Sequence, residues 1–138
     1  MRIGSISENR NYEKRIAITP EIVKKYTSIG LEVHLSENYG THLGIKDDQY
    51  IEVGVKISKD ETEILNSSDI IVQLGMLSDE KNSKIRENQT LIGVLNPYKN
   101  REKLEILAKK KINFFSLELL PRITRAQSMD ILSSQANL

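Results

Sequence analysis

Short hydrogen-bonding side chains are concentrated in the closing segment of the chain, defined as residues 121–138. They recur at three- or four-residue steps, a spacing that places them on one face of a helix. The series is Gln127, Asp130, Ser133 or Ser134, and Asn137. Arg122 and Arg125 precede it. Amides, carboxylates and hydroxyls together offer donors and acceptors, so this face suits a neutral polar ligand that must be oriented.

The elements around the closing segment also favour a site. An apolar strand is predicted at 112–117, and open α/β sheets bind ligands beyond the carboxyl ends of their strands. Thr124 and Gln127 form a capping-box pattern, so a helix is predicted to begin there, with Met129, Leu132 and Ala136 on its other face. A purely structural interpretation of Gln127 and Asp130 as helix-start residues stays open, and spacing alone favours it by roughly two to one.

Composition excludes several other classes of site. The chain has 138 residues, a net charge of +1 and no cysteine, which suits one domain and gives no reason to expect nucleic-acid binding, a disulfide or a thiolate metal site. The only histidines, His34 and His42, lack a second ligand at helical spacing, so no metal site is predicted. No apolar run approaches the roughly 20 residues of a membrane span, and no signal peptide is recognisable. A cytoplasmic setting without membrane insertion is therefore expected.

Apolar runs of strand length alternate with amphipathic helical stretches along the chain. This alternation predicts an α/β fold, a flavodoxin-like or Rossmann-like three-layer domain around a mainly parallel sheet. The predicted strands are 2–5, 32–36, a short run after Gly54, 69–73, 90–95 and 112–117. The predicted helices begin at Pro20, Asp47, Glu61, Ser78 and Arg101 and end near Gly30, Val53, Asn66, Glu87 and Lys110. Ile29 and Ile106 are expected to face the core.

Three stretches carry a family resemblance, namely the closing segment, Lys14 to Val33, and Leu91 to Pro97. They resemble the N-terminal domain of the alpha subunit of Re/Si-specific, proton-translocating NAD(P) transhydrogenase, in the alanine dehydrogenase/transhydrogenase superfamily. The resemblance implies that Arg122, Gln127, Asp130 and Ser133 hold the nicotinamide end of NAD(H). It also implies that Gln127 faces the ring of NADP(H), so that Gln127 and Asp130 serve hydride transfer directly. On this basis the functional interpretation of the closing segment outranks the structural one.

The resemblance further implies the organisation of a longer protein. Residues 1–125 would form the N-terminal domain, and 126–138 the start of a helix leading to a second domain that binds most of NAD(H). No Gly-x-Gly-x-x-Gly occurs here, and we expect the chain alone to be inactive. The implied partners are the rest of the alpha subunit, an NADP(H)-binding beta subunit, membrane subunits and a second copy in a homodimer. The complex would lie peripheral to the inner membrane.

Two other functions stay open at this stage. Arg15 matches an arginine that binds the substrate carboxylate in alanine dehydrogenases, although it could also be an ordinary exposed residue. Gln73 stands where those enzymes carry a substrate-binding lysine and Asn96 where they carry a catalytic histidine, which counts against amino-acid dehydrogenase activity. A non-catalytic dimerisation or regulatory module of the same fold is the remaining alternative.

Overall fold

The computed structural model describes residues 1–117. The predicted site residues Arg122, Gln127, Asp130 and Ser133 and the predicted boundary at 125 lie outside the described residues. The strands are β1 Arg2–Ser5, β2 Glu32–Ser36, β3 Lys56–Ser58, β4 Ile70–Gln73, β5 Thr90–Gly93 and β6 Asn113–Ser116. The helices are α1 Pro20–Ser28, α2 Asp47–Glu52, α3 Glu61–Ser67, α4 Asp79–Asn82 and α5 Arg101–Lys109, with a 3-10 turn at Thr41–Leu43.

The six strands form one parallel sheet in the order β3-β2-β1-β4-β5-β6. The predicted class is confirmed, and of its two variants the strand order is that of the Rossmann fold. The chain reverses its direction of travel across the sheet between β1 and β4. Right-handed crossovers therefore place α1 and α2 on one face and α3, α4 and α5 on the other. The loops after β1 and β4 diverge at this reversal and leave a crevice.

Each face of the sheet has its own apolar core. The first core joins Val23 of α1 and Tyr50 of α2 to sheet residues such as Val33 and Val72. The second joins Leu65 of α3 and Leu107 of α5 to sheet residues such as Ile71 and Leu91. Neighbouring strand residues such as Ile71 and Val72 thus point to opposite faces, as the alternation of a pleated strand requires. In the described part of the chain no helix is long and apolar enough to span a membrane.

Helix α1 shows how local sequence sets an element. The Thr19 hydroxyl accepts a hydrogen bond from the Ile22 N–H at 3.3 Å, and Pro20 occupies the first turn, where its missing N–H is not needed. The helix ends at Ser28 and Gly30 follows with φ 89°, a left-handed conformation that glycine adopts without strain. Ile29 stands beyond the last helical residue and is 73% exposed, so its predicted burial is wrong.

Two other local predictions need correction. Helix α4 ends at Asn82 and does not extend to Glu87. The chain turns there because the buried Gln89 amide donates to the carbonyls of Leu65 and Ser68, contacts that a longer helix would not allow. Ile106 of α5 is 59% exposed, since the helix presents Leu104 and Leu107 to the core instead.

Candidate functional site

A cleft of about 850 Å³ lies at the carboxyl ends of the central strands. Its walls come from the three loops that follow β1, β4 and β5. Representative lining residues are Glu8, Tyr12, Arg15, Gly75, Asn96 and Lys103. The cleft opens at the reversal of strand order between β1 and β4, which is where doubly wound sheets bind their ligands.

Gln73, the last residue of β4, is fully buried beneath this cleft. Its Oε1 accepts from the Ile6 N–H at 2.7 Å and from the Ser5 hydroxyl at 3.1 Å. Its Nε2 donates to the Ile6 carbonyl at 3.0 Å and to Glu8 Oε2 at 2.9 Å. The side chain amide thus pairs with the backbone of Ile6 as another strand would. Both of its hydrogens and both of its acceptor positions are used, so Gln73 presents no group to a ligand.

Glu8 is held directly above Gln73 by neutral donors. Its Oε2 accepts from the Leu74 N–H at 2.8 Å, in addition to the Gln73 amide, and its Oε1 accepts from the Gly75 N–H at 3.1 Å. These contacts join the loop after β1 to the loop after β4 across the reversal point. No sequence pattern indicated Glu8 as a site residue, because its partners are 65 or more positions away in the sequence.

Burial dominates the ionisation of Glu8. Desolvation raises the pKa of its carboxyl to about 7, although the Leu74 and Gly75 N–H groups pull it down. Among charged neighbours, Glu13 raises the pKa further and Lys81 lowers it. A carboxyl that titrates near neutrality in a cleft is suited to proton transfer. In this chain, however, both oxygens already accept hydrogen bonds from protein groups, which makes a structural role the more direct one.

Arg15 lies on the same wall of the cleft, paired with Glu13. Its Nε and one terminal nitrogen donate to the two Glu13 oxygens at 2.7 and 2.8 Å. The Arg15 hydrogen bonds lower the pKa of Glu13, and the pairing raises the pKa of Arg15. The Arg15 side chain is 49% exposed. A ligand carboxylate would have to displace Glu13 to reach the same fork of the guanidinium group.

A buried tyrosine positions the loop that carries this ion pair. The Tyr39 hydroxyl accepts from the N–H groups of Ala17 and Ile18 at 3.2 and 3.3 Å and contacts the Ser5 hydroxyl at 2.9 Å. Tyr50, which packs edge-on against Tyr39, donates to the Ile18 carbonyl at 2.8 Å. The end of the Arg15 loop is therefore fixed by hydrogen bonds inside the first core.

The third wall of the cleft is more polar and more exposed. Asn96 has a left-handed backbone with φ 47°, which asparagine tolerates better than most residues, and its carbonyl accepts from the N–H groups of Lys99 and Asn100. The Asn100 amide donates to the Leu95 carbonyl at 2.7 Å. Lys81 and Lys103 also line the cleft, 3.4 Å from Glu61 and 3.8 Å from Asp79.

The structure brings Arg15, Gln73 and Asn96 to one cleft, as their sequence matches imply, but with different exposures. Arg15 and Asn96 face the cleft, whereas Gln73 is sealed beneath it. His34 is buried in β2, and His42 Nε2 lies 2.6 Å from the Lys14 carbonyl. Within residues 1–117 no group of three or more His, Cys, Asp or Glu side chains could hold a metal ion.

Comparison with known proteins gives one consistent result. Residues 4–138 match the family described as alanine dehydrogenase/PNT, N-terminal domain. The NAD(P) transhydrogenase alpha subunits of Rickettsia prowazekii and Rhodospirillum rubrum are 38% and 40% identical over the whole chain. A crystal structure of transhydrogenase from Sinorhizobium meliloti superimposes with a TM-score of 0.89 and 34% identity over 99% of the chain.

The matched proteins are much longer than this chain. The chain spans 37% of the length of the two curated relatives and 41% of the Sinorhizobium meliloti chain. Since the family match runs from Gly4 to the last residue, it covers the cleft and the closing segment together. The chain belongs to the alanine dehydrogenase/PNT N-terminal domain family.

Proposed function

We propose that the chain is the N-terminal domain of the alpha subunit of a Re/Si-specific, proton-translocating NAD(P) transhydrogenase, which transfers hydride between NADH and NADP⁺. The observation that carries this proposal is the 38–40% identity to transhydrogenase alpha subunits over the whole length of the chain. The full hydrogen bonding of Gln73 adds support, because it leaves no cationic group at that position for the carboxylate of a keto acid.

The closing segment carries the chemistry in this proposal. Arg122, Asp130 and Ser133 would fix the carboxamide of NAD(H), whose one acceptor and two donors match these groups. Gln127 would face the incoming NADP(H) ring. The cofactors supply the redox chemistry, so the protein has to align two rings and needs little acid or base catalysis. In the described residues, the tightly bonded Glu8 and Gln73 fit a scaffold for that alignment.

The remainder of a longer protein would complete the site. Most of the NAD(H) contacts would come from a second domain of the alpha subunit, and NADP(H) would bind a beta subunit associated with membrane subunits. The assembly would be a homodimer in its alpha subunits and would lie on the cytoplasmic side of the inner membrane. The isolated 138-residue chain is expected to show no turnover and very weak NADH binding. Micromolar NADH binding measured by calorimetry would contradict that expectation.

An amino-acid dehydrogenase is the second candidate, because the family description includes alanine dehydrogenase and Arg15 faces the cleft. An alanine- or lysine-forming enzyme would use Arg15 to bind a carboxylate. The Glu13 carboxylate occupies the Arg15 fork, and a catalytic histidine is missing at Asn96, so this candidate ranks lower. A dimerisation or regulatory module predicts that no hydride transfer depends on the closing segment.

Two assays on the longer alpha subunit separate these candidates. The first measures hydride transfer from NADH to an NADP⁺ analogue in the presence of the NADP-binding partner. The second supplies pyruvate, ammonia and NADH. We expect turnover in the first assay only. Robust turnover in the second would overturn the transhydrogenase proposal, and an inactive protein in both would favour the module.

A further inference from the structure

One half of the sheet face that carries α1 and α2 has no helix of residues 1–117 packed on it. Val72, Ile92 and Phe115 are register partners on β4, β5 and β6, so they form one row across this face. Val72 belongs to the first core and is 5% exposed. Ile92 is partly exposed, Phe115 is 58% exposed, and neither belongs to an apolar core. Cover is thus lost progressively from β4 to β6.

The path of the chain explains this bare half. The connections from β1 to β3 run in one direction and place α1 and α2 on this face. The connections from β3 to β6 run in the other direction and place α3, α4 and α5 on the opposite face. Only a segment that turns back over the sheet after β6 could cover Ile92 and Phe115. We propose that the closing segment, residues 121–138, packs on this bare half of the sheet through Met129, Leu132 and Ala136.

The dimensions and chemistry of the two surfaces agree. Two strands about 4.8 Å apart offer a strip about 10 Å wide, which is about the diameter of one helix. The three apolar side chains recur at three- and four-residue steps and would face the strip together. Residues 117–120 join β6 to the closing segment and are enough for a reversal of direction.

This packing would also orient the polar side of the closing segment. Val94, two residues beyond Ile92, is partly exposed and lines the cleft, so the bare half is continuous with the cleft wall. Gln127 and Asp130, on the other side of the predicted helix, would then project beside the cleft. The inference goes beyond the proposed function and does not depend on it, because the packing requires no cofactor.

Disulfide trapping tests the proposal directly, because the native sequence contains no cysteine. Phe115→Cys is combined in turn with Met129→Cys, Leu132→Cys and Ala136→Cys in the 138-residue chain. The matched control replaces Phe115→Cys by Ile106→Cys, which is equally exposed at 59% but lies on α5 at the opposite face. We expect at least one Phe115 pairing to form an intramolecular disulfide ten or more times faster than every Ile106 pairing. Equal rates would overturn the proposal, as would disulfides that form only between two chains.

Footprinting of the unmodified chain guards against misfolded variants. Hydroxyl-radical labelling, corrected for the intrinsic reactivity of each side chain, compares Phe115 with the 92% exposed Tyr98. Packing of the closing segment predicts that Phe115 is protected at least fivefold relative to Tyr98 at low, monomeric concentration. Equal labelling of the two residues would contradict the proposal. Protection that appears only at high concentration would assign the cover to a second copy and overturn it.

Discussion

Glu8 and Glu13 stand in the same loop, yet their ionisation changes in opposite directions. Glu8 is desolvated and bound by neutral amides, and its pKa rises to about 7. Glu13 is closer to solvent and bound by the Arg15 guanidinium group, and its pKa falls. Neutral donors at a buried site do not offset the loss of water around a carboxylate, whereas a cationic fork at the surface stabilises it. The first contact holds two loops together, and the second tunes an exposed arginine.

The largest effect is expected at Gln73, on which the Glu8 contact depends. Gln73→Ala removes four hydrogen bonds and leaves the Ile6 N–H and carbonyl without partners beneath the cleft. We expect the free energy of unfolding to fall by about 3 kcal/mol, measured by urea denaturation. Gln49→Ala is the matched control, since exposed Gln49 bonds only the Lys46 N–H, and it should cost less than about 1 kcal/mol. Similar losses for both variants would show that the Gln73 network is not a structural clamp.

The next effect is a pH dependence of stability caused by Glu8. The folded-state pKa of about 7 exceeds the unfolded value of 4.5, so between these values only the folded state retains the proton. The contribution of Glu8 to the free energy of unfolding is full below pH 4.5 and is lost as the pH rises toward 7. We expect a loss of about 1–3 kcal/mol across this window, measured by urea denaturation at successive pH values.

Glu8→Gln provides the control for this titration. The variant cannot ionise, so its stability should change by less than about 1 kcal/mol between pH 4.5 and 7. Its amide nitrogen faces the Gly75 N–H or the Leu74 N–H, and we therefore expect lower stability than the native chain at pH 4.5. An unchanged slope in the variant would assign the pH dependence to other groups.

The smallest effect is expected at Glu13. Glu13→Gln removes the charge of an exposed pair, so the free energy of unfolding should change by less than about 1 kcal/mol at pH 7. Because its folded-state pKa is lowered, the Glu13 contribution is present above its unfolded pKa and is lost as the pH falls through the folded value. Glu105→Gln, which breaks the exposed pair with Arg101, is the matched control. A loss at Glu13 as large as that at Gln73 would remove the distinction between the two contacts.

Local patterns predicted much of the fold. The bounds of β1 and β2 agree with the prediction, and Gly30 and Gly54 follow the ends of α1 and α2 with left-handed backbones. These features depend on neighbouring residues alone. The short α4 was not predictable in this way, because the Gln89 amide that turns the chain binds carbonyls of α3 more than twenty positions earlier.

The candidate site divides in the same manner. Arg15 and Asn96 were predicted to face one cleft and do so, since both follow the carboxyl ends of strands. The role of Glu8 could not be predicted, because it requires β1 and β4 to be neighbours, and strand order is a property of the whole chain. The roles of Arg122, Gln127, Asp130 and Ser133 stay predictions, since these residues lie outside 1–117.

Hydride transfer by the longer alpha subunit with its NADP-binding partner tests the central claim most directly. Native protein is compared with Gln127→Asn, and Gln135→Asn is the matched control because it makes the same change in the same segment. We expect Gln127→Asn to slow transfer from NADH to an NADP⁺ analogue by at least a hundredfold, about 2.7 kcal/mol, and Gln135→Asn to leave the rate within a factor of three. Equal rates for all three proteins would contradict the claim and leave Gln127 as a helix cap.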